Sequence, residues 1–226
     1  MIKIIDWKLV NSIIDISFKT PLVVYGEISL FDESKIQLLS ANEISRGKKM
    51  HLIESKVFFA SHICLRQLLS AFLNINPDEL KFNTTQNGKP YLNNSDLHFN
   101  MSHSKTAFAI AISKKKVGID IEDVNININT NDIAKYAYSE AEQLYCSQIE
   151  NFRAFNEIWT LKEAFLKAEG LGLTDNLPEI DVIKTNNVIQ QNEYKNLSFE
   201  TPNHEIGSIV YKQNQADFNF YFIKKL

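Results

Sequence analysis

The chain has 226 residues, 44% of them hydrophobic and 11% aromatic, enough to bury a core as one large or two small domains and too apolar for a disordered protein. Lys and Arg total 24 against 27 Asp and Glu, a formal charge of -3, so no global field points to nucleic acid or an acidic membrane as a partner. The 2 cysteines, Cys64 and Cys146, are too few for a disulfide framework or a four-ligand zinc site and are expected to be reduced thiols in a cytoplasmic protein.

The opening stretch MIKIIDWKLVNSIIDISFK is interrupted by Asp6, Lys8, Asn11 and Asp15, so it offers neither the apolar run of a signal peptide nor the length of a membrane span. MIKIID and LVVYGEISL read as short strands from their β-branched content. From Ser34 the pattern turns helical. FFASHICLRQLLSAFL spaces Phe58, Ile63, Leu65, Leu69 and Phe72 as the apolar stripe of an amphipathic helix, which Asn74 to Pro77 ends. Asn87-Gly88 marks a tight turn, TAFAIAI a buried strand, and Ser113 to Lys116 (SKKK) a hairpin-like connection into VGIDIEDV.

Ser139 followed by Glu142 fits a capping box opening EAEQLYCSQ. A long helix is expected over about Phe152 to Glu169, with Phe155, Ile158, Trp159, Phe165 and Leu166 as its buried stripe and Gly170 as its stop. The tail from Leu197 alternates enough for two or three closing strands. No short repeat and no Pro/Gly/Ser-rich linker divides the chain, and helix and strand mix without a regular βαβ rhythm, which points to an α+β fold.

Chemistry concentrates in a few segments. On a strand, Val117, Ile119 and Ile121 share one face while Gly118, Asp120 and Glu122 share the other, so two carboxylates project together. The ordinary explanation is a half-buried strand with a solvated polar face; the chemical one is a divalent cation site, since Mg2+ or Mn2+ relieves the repulsion of paired oxygen donors. IWTLKEAFLKAEG sets Lys162, Glu163 and Lys167 on one helix, where Glu163 and Lys167 could equally be a routine surface pair one turn apart. FNMSHSK holds Ser102 and His103 between two strands, a place to present a hydroxyl and an imidazole to a phosphate or simply a polar turn. Lys89 and the basic group Arg46, Lys48 and Lys49 could add phosphate contacts or could be solvated charge.

Taken together, NGKPYL, HFNMSHS, VGIDIED and WTLKEAFLKAEGLGL closely resemble, in order and spacing, the 4'-phosphopantetheinyl transferase family in its longer, surfactin-synthetase-activating type. The family pattern G-[IV]-D-x-E is complete here, as is W-[SCT]-x-K-E-x-x-x-K about forty residues later, and the resemblance spans residues from about 36 to 180. It implies an α+β fold of two similar halves packed pseudo-symmetrically, placed at residues 1–115 and 116–226, with coenzyme A in the cleft between them. A chain of this length is then expected to be a monomer holding both halves of the site.

The implied activity is Mg2+-dependent transfer of the phosphopantetheine arm of coenzyme A to a serine of an apo acyl or peptidyl carrier protein, with release of 3',5'-ADP. By resemblance Asp120, Glu122 and Glu163 hold the metal, Glu163 is also the general base, and Lys167 contacts phosphate and stabilises the leaving charge; Lys162 has a structural role. His103 matches the family histidine that contacts a coenzyme A phosphate, expected to be the 3'-phosphate, with Ser102 beside it and Lys89 reaching the same nucleotide. Upstream the chain departs from the family, whose two basic positions fall here on Asn42 and Ser45, so Arg46 and Lys49, with Lys56 behind them, are the candidates for the remaining phosphate contacts.

The family's carrier-docking segment corresponds to residues 123 to 146, which are poor in cations and offer Ile126, Ile128, Tyr136, Tyr138 and Tyr145 for an apolar contact. Two other readings remain at this point. A Mg2+-dependent phosphohydrolase would use the same D-x-E pair but gives Lys167 no task, and a degenerate coenzyme A or carrier-binding module has no need of a complete metal and base set.

Overall fold

The computed structural model describes residues 2–17, 21–124, 130–148, 151–172, 176–184, 187–212 and 217–226. Strands β1 (Lys8–Val10) and β2 (Leu22–Glu27), with short 3-10 turns, lead into helices α1 (Ala41–Gly47) and α2 (Leu52–Leu73). A capping box opens α1, the Glu43 side chain accepting from Ser40 N at 2.8 Å while Ser40 Oγ accepts from Glu43 N at 3.3 Å. Asn74, left-handed at φ 54°, ends α2. Next come β3 (Phe82–Thr84), β4 (Pro90–Leu92), β5 (His98–His103), β6 (Ala107–Ser113) and β7 (Val117–Glu122). Helices α3 (Thr130–Ala137), α4 (Glu140–Gln148), α5 (Asn151–Glu169) and α6 (Val188–Gln191) precede the closing strands β8 (Tyr194–Glu200), β9 (Ile206–Lys212) and β10 (Asn219–Ile223).

Among the described residues the strands make a five-stranded sheet in the order β1-β10-β2-β6-β5, a three-stranded sheet in the order β7-β9-β8, and the β3-β4 hairpin. Period-two alternation turns these sheets into layers. In β6, Phe108, Ile110 and Ile112 face a core shared with α2, while Ala107, Ala109 and Ala111 face the opposite way, onto Val117, Ile119 and Ile121 of β7. The small alanine side chains bring the two sheets together. α2 covers the outer face of the larger sheet and α5 the outer face of the smaller one, the face to which Gly118, Asp120 and Glu122 point.

The mixed α/β architecture agrees with the fold class expected from the sequence, and three local readings are corrected. Residues 2–7 form no strand beyond a bridge from Lys3 to Phe199. β6 and β7 are joined by a short link but do not pair, because β7 leaves the larger sheet and pairs with β9. α2 is not two-faced: Arg66 and Cys64 are as buried as Leu65 and Leu69, since the turns at Ile28–Leu30, Glu33–Leu38 and Pro77–Glu79 pack over it. Its length and apolar composition alone would suit a membrane span, but 61% of that stretch lies inside the fold. β10 comes from the end of the chain and inserts between β1 and β2, parallel to both, so the last residues belong to the first sheet.

The contact between α5 and β7 governs the site. A Cβ added at Gly118 would stand 2.0 Å from Ala164 O and 2.4 Å from Ala168 N, so the helix backbone rests directly on the strand. Gly118→Ala is expected to push α5 outward and lower the urea stability by about 1–3 kcal/mol, read as a shift in the unfolding midpoint.

Candidate active site

α5 distributes the motif WTLKEAFLK around its circumference. Thr160, Glu163 and Lys167 follow helical spacing along the side that meets β7 and β9. Thr160 is fully buried and its hydroxyl lies 2.8 Å from Ser208 Oγ on β9. Lys162 looks the other way, into the packing of α4 and the loop around residues 177–182.

At the centre is Asp120, only 2% exposed. Its Oδ1 accepts from Lys167 Nζ at 2.5 Å and from Ser102 Oγ at 2.7 Å, and Lys167 Nζ also donates to Ser102 Oγ at 3.2 Å. Asp120 Oδ2 is buried with no hydrogen-bond partner. Helix, strand and edge strand β5 therefore meet in one triad. Asn100 supports it from the same strand, its Oδ1 accepting from Ile119 N at 2.8 Å and tying β5 to β7.

The neighbouring carboxylates feel this crowding. Burial, then the charge of Asp120, pushes the Glu122 carboxyl up to about 7, against the opposing pull of Lys167 and a hydrogen bond from the Trp159 indole. Burial and Asp120 raise Glu163 as well, again opposed by Lys167. Lys167 thus pairs with Asp120 on the strand, which sets aside the routine surface pair with Glu163 as its main contact. Among the described residues no group of three or more His, Cys, Asp or Glu side chains is gathered closely enough to hold a metal ion.

The other expected site residues are more dispersed. His103 is exposed, and by alternation it falls on the face of β5 that carries Phe99 and Met101, opposite to Ser102. Arg46 and Lys49 are exposed at the corner between α1 and α2, where the Arg46 guanidinium lies 5.4 Å from the Phe58 ring centroid. Lys56 is half-buried in α2. Lys89 is the surprise: its ammonium donates to Lys167 O at 2.5 Å, Ala168 O at 3.1 Å and Val117 O at 3.2 Å, and burial pulls it down to about 8.

Of the aromatic residues expected on the docking segment, Tyr136 is 66% exposed, whereas Tyr138 is a core residue whose hydroxyl donates to Phe155 O at 2.7 Å. Tyr145 is half-buried and donates to Glu157 at 2.8 Å; Ile126 and Ile128 lie outside the described residues. Sequence reasoning overlooked Trp159 and Asn100. Trp159 was legible only as an aromatic in the core stripe, although its place at the head of the motif was a signal; Asn100 carried no signal beyond a polar residue inside a strand.

Beneath the site lies a second buried pair. Lys162 and Glu142, 1% and 0% exposed at their side chains, meet at 2.7 Å, and Lys162 Nζ also donates to Leu177 O at 2.8 Å and Ile180 O at 2.7 Å. Glu142 is the capping residue expected for α4, accepting from Ser139 N at 2.8 Å and also from Val182 N at 2.9 Å.

A family model described as the 4'-phosphopantetheinyl transferase superfamily matches residues 116–216, and one described as 4'-phosphopantetheinyl transferase, N-terminal, matches residues 32–116. The chain is 31% identical over 166 residues to the 4'-phosphopantetheinyl transferase HetI of Nostoc sp., covering 68% of this chain and 70% of that protein. It is 31% identical over 158 residues to the 4'-phosphopantetheinyl transferase gsp of Aneurinibacillus migulanus, covering 69% and 57%. With the mouse L-aminoadipate-semialdehyde dehydrogenase-phosphopantetheinyl transferase it shares 27% identity over 143 residues, covering 56% and 46%, so it spans less than two thirds of the latter two. The chain belongs to the 4'-phosphopantetheinyl transferase superfamily of enzymes, and the likeness to gsp agrees with its longer type.

Two buried titratable groups carry testable consequences. Glu142→Gln leaves Lys162 charged and unpaired in the core and is expected to cost about 3–5 kcal/mol in urea unfolding. His62, stacked on Phe58 at 3.8 Å, is pulled down by burial from 6.5 to about 4, so the folded state keeps it neutral where the unfolded chain protonates. Its contribution is therefore intact above pH 6.5 and is lost as pH falls towards 4, on the order of 3 kcal/mol. A His62→Gln variant should lose less stability than the parent across that interval, measured by denaturant titration at each pH.

Proposed function

We propose that this protein transfers the 4'-phosphopantetheine arm of coenzyme A to a serine hydroxyl of an apo acyl or peptidyl carrier protein, releasing 3',5'-ADP in a Mg2+-dependent reaction. The observation that carries the reading is Asp120, buried, with one oxygen held by Lys167 and Ser102 and the other without a partner, in a chain of this family.

Asp120, Glu122 and Glu163 are not drawn together into a three-ligand cluster here, but the buried unpartnered Asp120 oxygen and the coupling of the other two carboxyls to its charge suit a hard divalent cation. Asp120, Glu122 and Glu163 would hold Mg2+, with Mn2+ as the alternative. Bound there, the cation would supply charge neutralisation at the pyrophosphate and help align it. The serine Oγ forms a bond to the phosphorus that carries the pantetheine arm; the P–O bond to the nucleotide breaks, and 3',5'-ADP leaves with the electron pair. Glu163 accepts the serine proton, directly or through a water, and the environment that raises its proton affinity is the one a base working near neutral pH needs.

Lys167 moves its charge from Asp120 towards the phosphate oxygens as the leaving group departs. Ser102, on the Asp120 side of β5, and His103, on its other side, recognise nucleotide phosphate together with Arg46 and Lys49. Lys89 is left out of this set because all three of its ammonium donors are already engaged by carbonyls. The carrier docks on α3 and α4, where Tyr136 and Leu144 are 66% and 58% exposed, in a mainly apolar contact. The working unit is a cytoplasmic monomer with coenzyme A between halves 1–115 and 116–226; the two family matches meeting at residue 116 support that division, and β10 ties the second half back into the first sheet.

The test is incubation with Mg2+, coenzyme A and a panel of apo carrier proteins, read by mass spectrometry as the gain of one phosphopantetheine group. Asp120→Ala and Glu163→Ala should each slow transfer by about 10²–10³-fold or more with the circular dichroism spectrum unchanged, and chelation should stop the parent enzyme until Mg2+ is restored. Coenzyme A hydrolysis without carrier modification, or undiminished rates in both variants, would overturn the reading.

A further inference from the structure

We propose that Lys89 is a positioning residue whose ammonium bolts the end of α5 to the start of β7 and thereby sets where Lys167 meets Asp120; the catalytic part of this inference rests on the transferase reading above. The turn that presents it is closed by three hydrogen bonds. Thr85 N donates to Lys89 O at 2.9 Å, Gly88 N to Thr85 O at 2.9 Å, and Lys89 N to Thr85 Oγ1 at 3.1 Å, with Gly88 in the left-handed region at φ 81°.

From that turn the Lys89 side chain reaches the last turn of α5. The carbonyls there lack intrahelical partners and carry the negative end of the helix dipole, so a cation is favoured twice over. Nζ donates to Lys167 O at 2.5 Å and Ala168 O at 3.1 Å, and its third donor goes to Val117 O at 3.2 Å, three residues before Asp120 on the same strand. Beside it Asn87 Nδ2 donates to Gly170 O at 2.9 Å. One ammonium therefore grips the main chain of the residue whose own side chain pairs with Asp120, and grips the strand that carries Asp120.

This holds two separately rigid elements in register. Glu163 and Lys167 ride on α5, Asp120 and Glu122 on β7; the close approach at Gly118 sets the helix on the strand, and the Lys89 ammonium bonds the carbonyls at the helix end to the first carbonyl of that strand. Burial weakens the charged form of Lys89, and Lys116 nearby adds to that, while Glu169 opposes it. Such an environment is costly for a surface phosphate binder but natural for a capping cation whose donors are all engaged.

The experiment compares Lys89→Met with the parent in steady-state transfer, using coenzyme A and 3'-dephospho-coenzyme A as alternative donors, alongside hydrogen exchange of the amides at residues 165–170. Expected are a kcat lowered about 10- to 100-fold, a KM for coenzyme A changed less than about threefold, an unchanged preference between the two donors, and faster exchange at the helix end. A raised KM with kcat kept and the donor preference lost would make Lys89 a phosphate contact and overturn the proposal. A lowered melting temperature with kcat and KM both unchanged would make it merely structural, which also overturns it. Asn87→Ala, which removes only the bond to Gly170 O, should give the same pattern at smaller size and serves if Lys89→Met does not fold. Absence of transfer by the parent would refute the transferase reading alone, because hydrogen exchange still reports whether Lys89 holds the helix end.

Discussion

The site depends on one close approach, the backbone of α5 lying on β7 where Gly118 has no side chain. A helix held off by an ordinary side chain at this position would carry Lys167 away from Asp120, which it meets at 2.5 Å. The rest of the interface is arranged around that contact. Thr160 places a small hydroxyl against Ser208, and Ser208 in turn lies 3.1 Å from Ser198 on β8, so a short polar seam runs beside the apolar packing of Phe165 on Tyr194 between α5 and the smaller sheet. On the opposite face of β9, a Cβ at Gly207 would stand 2.6 Å from the Phe199 ring, a second position where the sheet admits no bulk. Close backbone approach and small residues go together, and both are needed to bring charged side chains from separate elements to one point.

Above this seam the sheets are held by alternation. The alanines of β6 and the β-branched residues of β7 form an apolar layer in which Trp7 meets Phe199 and Phe220 edge to face and Tyr25 at a tilt. That layer fixes the height of β7, hence of Asp120, relative to β5, from which Ser102 and Asn100 reach across. The placement of the triad is thus a property of two sheets packed face to face, and not of the motif segments by themselves.

Much of this was legible in the sequence because it follows local periodicity. The face shared by Gly118, Asp120 and Glu122, the boundaries of α5 and the capping box at Ser139 and Glu142 each come from spacings within a few residues. What was not legible depends on partners distant in the chain. Tyr138 sits beside exposed Tyr136 in sequence yet is buried, because Phe155 occupies the space beneath it. The Lys89 side chain looked free until the end of α5, about 80 residues later, came to lie over it. β6 and β7 read as a hairpin because pattern reports strands without saying which sheet they join, and β10 finds its place between β1 and β2 only when the whole chain is assembled.

α5 also shows how a structural charge pair differs from a functional one. Lys162 with Glu142 and Lys167 with Asp120 are similar in chemistry and separation, 2.7 and 2.5 Å. The first pair is complete. Lys162 places its donors on Glu142 and two carbonyls, and both Glu142 oxygens accept, from Lys162, Ser139 N and Val182 N. Such a pair has no capacity left for a ligand. The second is incomplete: Asp120 keeps a buried oxygen without a donor, and Glu122 and Glu163 press on it while the one Lys167 ammonium opposes the rise of both. An uncompensated carboxylate in a buried site raises the energy of the resting protein, and the nearest relief is a bound cation or a proton. The motif residue that completes its own network is therefore scaffold, and the pair left with excess negative charge is where a positively charged ligand gains most by binding.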